Sequence, residues 1–458
     1  MTAVRMGGGL GFYGDSHDPA LELITAGDVQ YVGFDHLAEL TLAILAKDRA
    51  RDPRLGFARD LIPLLRDLWP AARAHGVRLI SNAGGLNPWA AARAAAEVAR
   101  TVGIEAVIGV VVGDDVMGQL PAVCWTDGGD EPDRVPVFAN AYLGAAPIQQ
   151  ALAGGADLVI TGRVADSALF LGAAAHAWGW DLADAHPSAA AIQRLAAAAV
   201  AGHLLECSGQ VTGGNHSGDW RHIEGLDHIG YPIAELDADG RLTITKVTGS
   251  GGRVSVDTVR EQLLYEVHNP ARYLTPDVTV DLTEVELQRE GADRVAVRGV
   301  RGHARPGRYK VLAGYRQGFL GQGVVGFSWP DALEKAQAAA AIIERQAAAR
   351  GLSPHPPRAE YLGVSAFHGP LAPAADPAGT NEVYLRMALP TDSRAQAEAF
   401  SRLFPPLALS GPPTASGFFG VDRVRELFAA KSGTIARHAV DEAVAVVVRP
   451  AARFLDGG

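Results

Sequence analysis

The sequence predicts an α/β fold: an N-terminal, mostly parallel sheet with flanking helices, followed by a C-terminal α+β part. Three observations predict it. Up to about residue 215, short apolar runs alternate with Ala- and Leu-rich stretches of helical length. Polar or glycine-rich text follows each apolar run, as strand-end loops do. From about Tyr231 the pattern changes to several strands in succession, a long helix, then another strand and helix. At 458 residues the chain exceeds one ordinary core, since domains hold roughly 100–200 residues. Two domains are expected, 1–230 (α/β, with strand-end site loops) and 231–458 (α+β).

In order, the strands of the first part are Val29 to Phe34, Val77 to Ser81, Ala106 to Val112 and Asp157 to Thr161. The helices include Leu37 to Ala46, Pro88 to Thr101, Pro147 to Ala153 and Ala189 to Leu205. The strands lead into Asp35, Asn82, Gly113-Asp114-Asp115 and Gly162-Arg163. In open parallel sheets ligands bind outside the carboxyl ends of the strands, so these polar segments are expected to converge on one crevice. In the second part, strands are expected at 242–247, 278–287, 294–300, 309–315, 324–327 and 382–389, with helices at 330–350 and 393–403.

Four glycine-dense segments carry candidate chemistry. The richest runs from Gly202 to Asn215 and contains Glu206, Cys207, Thr212 and Asn215. Glu206 suits proton transfer if its pKa is raised, and Thr212 and Asn215 suit substrate contact. Cys207 reads first as inert packing. In Thr161 to Ser167, Arg163 can grip a carboxylate or phosphate with two parallel hydrogen bonds, while Asp166 and Ser167 either cap the next helix or touch substrate. In Ser81 to Pro88, Asn87 suits a helix cap and Asn82 suits polarising a carbonyl. In Thr248 to Gly252, the amides around Gly249 and Gly251 either cradle an anion or make a structural turn, with Thr258 and Glu261 in capping-box spacing beyond. The candidate catalytic residues are therefore Asn82, Asp166 and Glu206, and the candidate substrate-binding residues are Arg163, Ser167, Thr212, Asn215, Gly249 and Gly251.

Composition narrows the function classes. A net charge of −10 and a pI near 5.8 disfavour nucleic acid as partner. Two cysteines, Cys124 and Cys207, exclude a disulfide framework, and no run reaches the ~18 apolar residues of a membrane helix, so a cytoplasmic protein is expected. Neither an ATP-binding P-loop nor an NAD-binding glycine fingerprint stands at a suitable junction. Asp15, Asp35, Glu39, Asp114 and Asp115 are compatible with Mg²⁺ or with solvated loops and caps, and the histidines from His203 to His228 lack zinc spacing.

Long runs of the chain resemble the acyclic terpene utilisation (AtuA) family: Asp35-His-Leu-Ala-Glu39, Asn82 to Pro88, Gly113 to Asp115, Thr161 to Leu169, Gly202 to Asn215, Gly230 to Ala234 and Glu261 to Asp277. The resemblance covers most of residues 5 to 450. It implies a role in breaking down branched acyclic terpenoids or related acids. Phe34 departs from the glycine expected before the aspartate, and the chain stops soon after Pro450, where many relatives continue into a small ferredoxin-like domain. Together, resemblance and residues suggest a catabolic enzyme acting on a branched carboxylic acid or acyl-CoA thioester, of the hydratase/dehydratase kind of lyase. In that reading Arg163 anchors the acid, Asn82 polarises the carbonyl, and Glu206 or Asp166 moves the proton. The alternative is a noncatalytic binding or scaffold subunit of a catabolic complex. A homo-oligomer partner or a separately encoded small subunit is expected to cover an apolar patch on the second domain.

Overall fold

The computed structural model describes residues 2–126, 136–374, 379–420 and 424–455. It has two compact units, Met1–Gly314 with Ala430–Gly458, and Tyr315–Ala429. The first is built on a ten-stranded sheet. In chain order its strands are β1 (Val4–Leu10), β2 (Tyr31–Phe34), β3 (Arg78–Ser81), β4 (Val107–Val112), β5 (Leu158–Thr161), β6 (Pro232–Leu236), β7 (Leu242–Lys246), β8 (Glu286–Gly291), β9 (Arg294–Arg298) and β10 (Ala445–Pro450). Their spatial order is β8-β9-β7-β6-β1-β2-β3-β5-β4-β10. The five central strands, β1-β2-β3-β5-β4, are mutually parallel, and their carboxyl ends share one edge. The flanking strands are antiparallel: β6 pairs Val4 with Leu236, and β10 pairs Val112 with Ala445.

The four strands expected from the alternation are β2 to β5, each shorter by one or two residues. β1 escaped notice because Gly7, Gly8 and Gly9 replace the usual branched residues of a central strand. Those glycines have a packing reason. A Cβ on Gly7 would meet Leu23 at 2.9 Å, and one on Gly8 would meet the carbonyl oxygen of Leu205 at 2.3 Å. Successive strand residues face opposite sides, so the helices carrying Leu23 and Leu205 cover the two faces of the sheet.

Those helices are α1 (Asp18–Ala26) and, last of the first seven, α7 (Ala189–Leu205); between them come α2 (Glu39–Arg51), α3 (Leu61–His75), α4 (Pro88–Val102), α5 (Ala146–Ala153) and α6 (Ala168–Trp178). Asn87 caps α4 by accepting the Ala90 N–H at 3.2 Å, and Pro88 supplies the fixed φ of a first helical position. Gly103, at φ +72°, ends it. Leu64, Leu65 and Leu68 on α3 are fully buried with Leu79 of β3 and Ala95 of α4; each buried Leu contributes about 1.5–3 kcal/mol.

The boundary expected at residue 230 lies where β6 begins, and β6 to β9 extend the first sheet rather than start a new layer. The chain divides instead at Gly314 and returns at Ala430. The second unit pairs Phe319–Ser328 antiparallel with Glu382–Thr391, which also pairs with Arg358–Leu362. A helix, Ala332–Ala349, buries its alanines against Val325, Leu385 and Met387. No helix of the described residues is long and apolar enough to cross a membrane.

Candidate active site

Three glycine-permitted approaches bring α7 to the carboxyl edge of the sheet. Gly8 lets the end of α7 press on β1, Gly202 lets it press on the start of α6, where a Cβ would meet the Ser167 carbonyl at 2.5 Å, and Gly11 does the same for Cys207 at 2.9 Å. The turn after α7 therefore closes over the loops after β1, β2 and β5, leaving a cavity of about 970 Å³. Its wall includes Asp15, Asp35, Arg163, Asp166, Glu206 and Asn215.

Asp35 follows β2 and is buried. Its Oδ1 accepts the Asn82 amide at 2.6 Å and the Leu37 N–H at 3.1 Å. Burial pushes its carboxyl well above the ordinary value, and the charges of Asp166 and Glu206 push the same way against the Arg163 guanidinium. A proton held there belongs on Oδ2, because both bonds to Oδ1 come from donors.

Glu206 stands one residue beyond α7 and contacts the buried imidazole of His203, Oε1 to Nδ1 at 3.0 Å. The His203 Nε2 lies 3.2 Å from the Leu263 carbonyl, which can only accept, so Nε2 carries a hydrogen. Nδ1 then either donates to the Glu206 carboxylate or accepts from its acid form, and the two groups share one proton. Desolvation pushes Glu206 up to about 7, and the Glu206 carboxylate raises His203 despite its burial. Desolvation likewise pushes the Cys207 thiol up, which disfavours its thiolate form.

Arg163 lines the cavity, but its hydrogen bonds are largely committed. Nε donates to the Val164 carbonyl at 2.7 Å and Nη1 to the Leu37 carbonyl at 2.5 Å, while Nη2 engages Val164 and pairs with Asp166. The planar fork expected to grip an acid instead clamps the β2 and β5 loops together. Behind it Asp114 accepts the Arg163 N–H at 2.8 Å and the Asn140 amide at 2.7 Å, and burial raises its carboxyl to about 6. The Tyr142 ring meets two cations, the Arg163 guanidinium 4.5 Å from its centre and the Lys310 ammonium at 4.7 Å. Lys310 lies 3.7 Å from Glu39 and is half exposed at the cavity wall.

Of the residues expected from sequence, Arg163, Asp166, Glu206 and Asn215 meet at this cavity. Asn82 is fully buried behind Asp35, bridging it to the His36 N–H at 2.7 Å, so it positions a wall residue instead of facing the cavity. Ser167 is buried at the start of α6 without a side-chain cap bond, and Asp166 pairs with Arg163 in place of capping. Thr212 is buried and donates to the Gly230 carbonyl at 2.7 Å. Gly249 and Gly251 do not line this cavity. The amides that would cradle an anion are spent on backbone carbonyls: Ser250 on Val247, Gly251 on His228, Gly252 on Glu224 and Arg253 on Thr212. The capping box there is Ser255 with Thr258, whereas Glu261 receives the Ser217 N–H at 2.9 Å.

For Mg²⁺, the five acidic groups do not assemble. Asp15 receives four donors, from Gly11, Ser16, Ser208 and Tyr231, and among the described residues no three His, Cys, Asp or Glu side chains could hold one ion. Sequence reasoning missed His203, Tyr142, Lys310 and Glu266. Only His203 left a local trace, three residues before Glu206 and hence on the same helical face; the others arrive from distant segments.

Strand-end loops and a helix end meeting around buried carboxyls define an α/β protein with an acidic pocket at the carboxyl edge of its sheet. Comparison with family models matches residues 4–446 to the acyclic terpene utilisation family protein AtuA, and the chain belongs to that family. No curated protein matches the chain, and no solved structure does.

Proposed function

We propose that this chain is a catabolic enzyme of acyclic terpene utilisation that removes water from, or adds it to, a branched carboxylic acid or its CoA thioester. The observation that carries the reading is the pair of buried carboxyls on one cavity with unequal proton affinities: Glu206, raised to about 7, can take up a proton near neutral pH, and Asp35, raised well above the ordinary value, can hold one to give. In the dehydrating direction Glu206, with His203 behind it, takes the proton from the carbon beside the carbonyl. The released electron pair forms the carbon–carbon double bond as the bond to the hydroxyl breaks. Asp35 donates the proton with which that hydroxyl departs as water. Lys310, instead of Arg163, receives the acid's negative charge at the wall, with Phe12, Leu37 and Ile229 as apolar neighbours for a branched chain. A second copy or a separately encoded small subunit would cover exposed apolar side chains of the second unit, Trp329, Phe367, Leu371 and Leu409 among them.

The test is incubation in D₂O with short branched 3-hydroxy acids and their CoA esters, read by mass spectrometry. Deuterium should enter beside the carbonyl and water should be lost, and Glu206→Gln should slow both by about 10²–10⁴-fold. A folded wild-type chain that binds these compounds without exchange or turnover would favour the scaffold reading instead.

A further inference from the structure

Seven described non-glycine residues have positive φ, and three of them, Ser208 (φ +43°), Asn215 (φ +55°) and Glu266 (φ +58°), line the same cavity. A non-glycine residue held in the left-handed region costs on the order of 1–3 kcal/mol and persists where its surroundings impose it, characteristically at ligand sites. Asn tolerates this conformation through its short amide, but a glutamate has no such local compensation. Glu266 follows the helix α8 (Val256–Leu264) and its C-cap Tyr265, whose N–H closes on the Gln262 carbonyl. Gln262 in turn donates to the His203 carbonyl at 3.1 Å. The left-handed turn thus starts from the segment that supports the Glu206–His203 pair and sets residue 266 into the cavity wall.

The other carboxyl groups on the wall have work in the protein. Asp15 is saturated by four donors, Asp166 faces Arg163, Glu39 faces Lys310, Asp35 takes Asn82 and Leu37, and Glu206 takes His203. Glu266 is the sixth, and it accepts from the hydroxyl of its chain neighbour, the solvent-exposed Tyr265. Its charge also raises the proton affinity of Glu206, His203 and the buried Tyr273, which places it within electrostatic reach of the proposed proton-transfer pair.

We propose that Glu266 is a substrate-contacting, specificity-determining residue: its carboxylate accepts a hydrogen bond from a hydroxyl of the substrate, so that the cavity selects hydroxylated branched acids over their unhydroxylated counterparts. This rests on the carboxylic-acid reading above. An ionised acceptor suits a neutral hydroxyl and repels a second carboxylate, so the anionic end of the ligand lies towards Lys310.

The experiment compares 3-hydroxy-3-methylbutanoate with 3-methylbutanoate, as free acids and CoA esters, by titration calorimetry, alongside melting of the unliganded protein. Wild type should bind the hydroxylated member about tenfold more tightly. Glu266→Gly should lose that preference while the unliganded chain melts at a higher temperature, because glycine adopts φ +58° freely. Glu266→Ala, which keeps the backbone penalty, should lose the preference without the gain in melting temperature. Retained preference in both variants overturns the assignment, as does equal binding of the two ligands by wild type. A wild-type chain that binds neither overturns the carboxylic-acid reading and this inference with it.

Discussion

The turn from Glu206 to Asn215 and the loop from Thr248 to Gly252 are written in the same glycine-dense, polar text, yet they meet different neighbours. In the first, Gly213 makes room for the Ile223 side chain, 2.6 Å from where its Cβ would stand, Gly202 just before it lets the helix end press on α6, and the polar side chains left over face a cavity. In the second, glycine lets backbone approach backbone: a Cβ on Gly251 would stand 2.1 Å from the Gly225 carbonyl oxygen. The Gly230 N–H closes on the Gly251 carbonyl at 2.8 Å. Glycine density therefore signals close approach in both, and only the partner distinguishes a site from a turn. The electrostatics follow suit, since Glu206 at the helix end and Asp35 and Asp114 at strand ends carry raised pKa values from burial.

The largest effect that tests this contrast falls on Arg163, a strand-end residue whose bonding resembles that of a turn. Arg163→Lys should lower unfolding stability by about 3 kcal/mol, because an ammonium cannot span the Leu37 and Val164 carbonyls and Asp166 together and leaves buried acceptors unmatched. Urea unfolding measures it. Unchanged stability with weakened acid binding would return Arg163 to the role of substrate anchor.

A somewhat smaller loss, about 2 kcal/mol, is expected for Gly251→Ala from crowding against Gly225, with hydrogen exchange into substrate unchanged per folded molecule. If that variant instead kept its stability and lost exchange, the loop would belong to the site and the contrast would fail.

The smallest effect is a change of slope. Burial lifts Asp114 from an ordinary 3.8 to about 6, so the folded chain holds this proton more tightly than the unfolded chain. Stability tied to it is present below pH 3.8 and is lost as the pH rises through 6. Melting temperatures of Asp114→Asn should accordingly fall less between pH 4 and pH 7 than those of wild type. An identical slope would mean that the strand-end carboxyls store no such linkage.

Much of this architecture was legible in the sequence. Apolar runs ending in Asp35, Asn82, Asp114 and Arg163 mark parallel strands because such strands, covered on both faces, need continuous apolar residues and release polar groups at their carboxyl ends. Asn87-Pro88 and Gly103 delimit α4 by local backbone preferences alone. Glu206 stood out because a carboxylate beside a helix end and a glycine turn needs a partner if buried.

Tertiary structure alone decided the rest. Whether Arg163 reaches a ligand or the carbonyl of Leu37, 126 residues away, depends on which segments stack, and residue type is the same in either case. Asn82 became a support for Asp35, and Asp35 became a cavity acid, through one 2.6 Å bond between two strand ends. Tyr142, Lys310 and Glu266 carry no local signature, since a lone aromatic or charged residue gains its role only from the burial and the charges that distant segments bring to it. The sequence by itself determined the strands, their polar ends and the family; packing between remote segments determined which polar ends face a ligand and which hold the protein together.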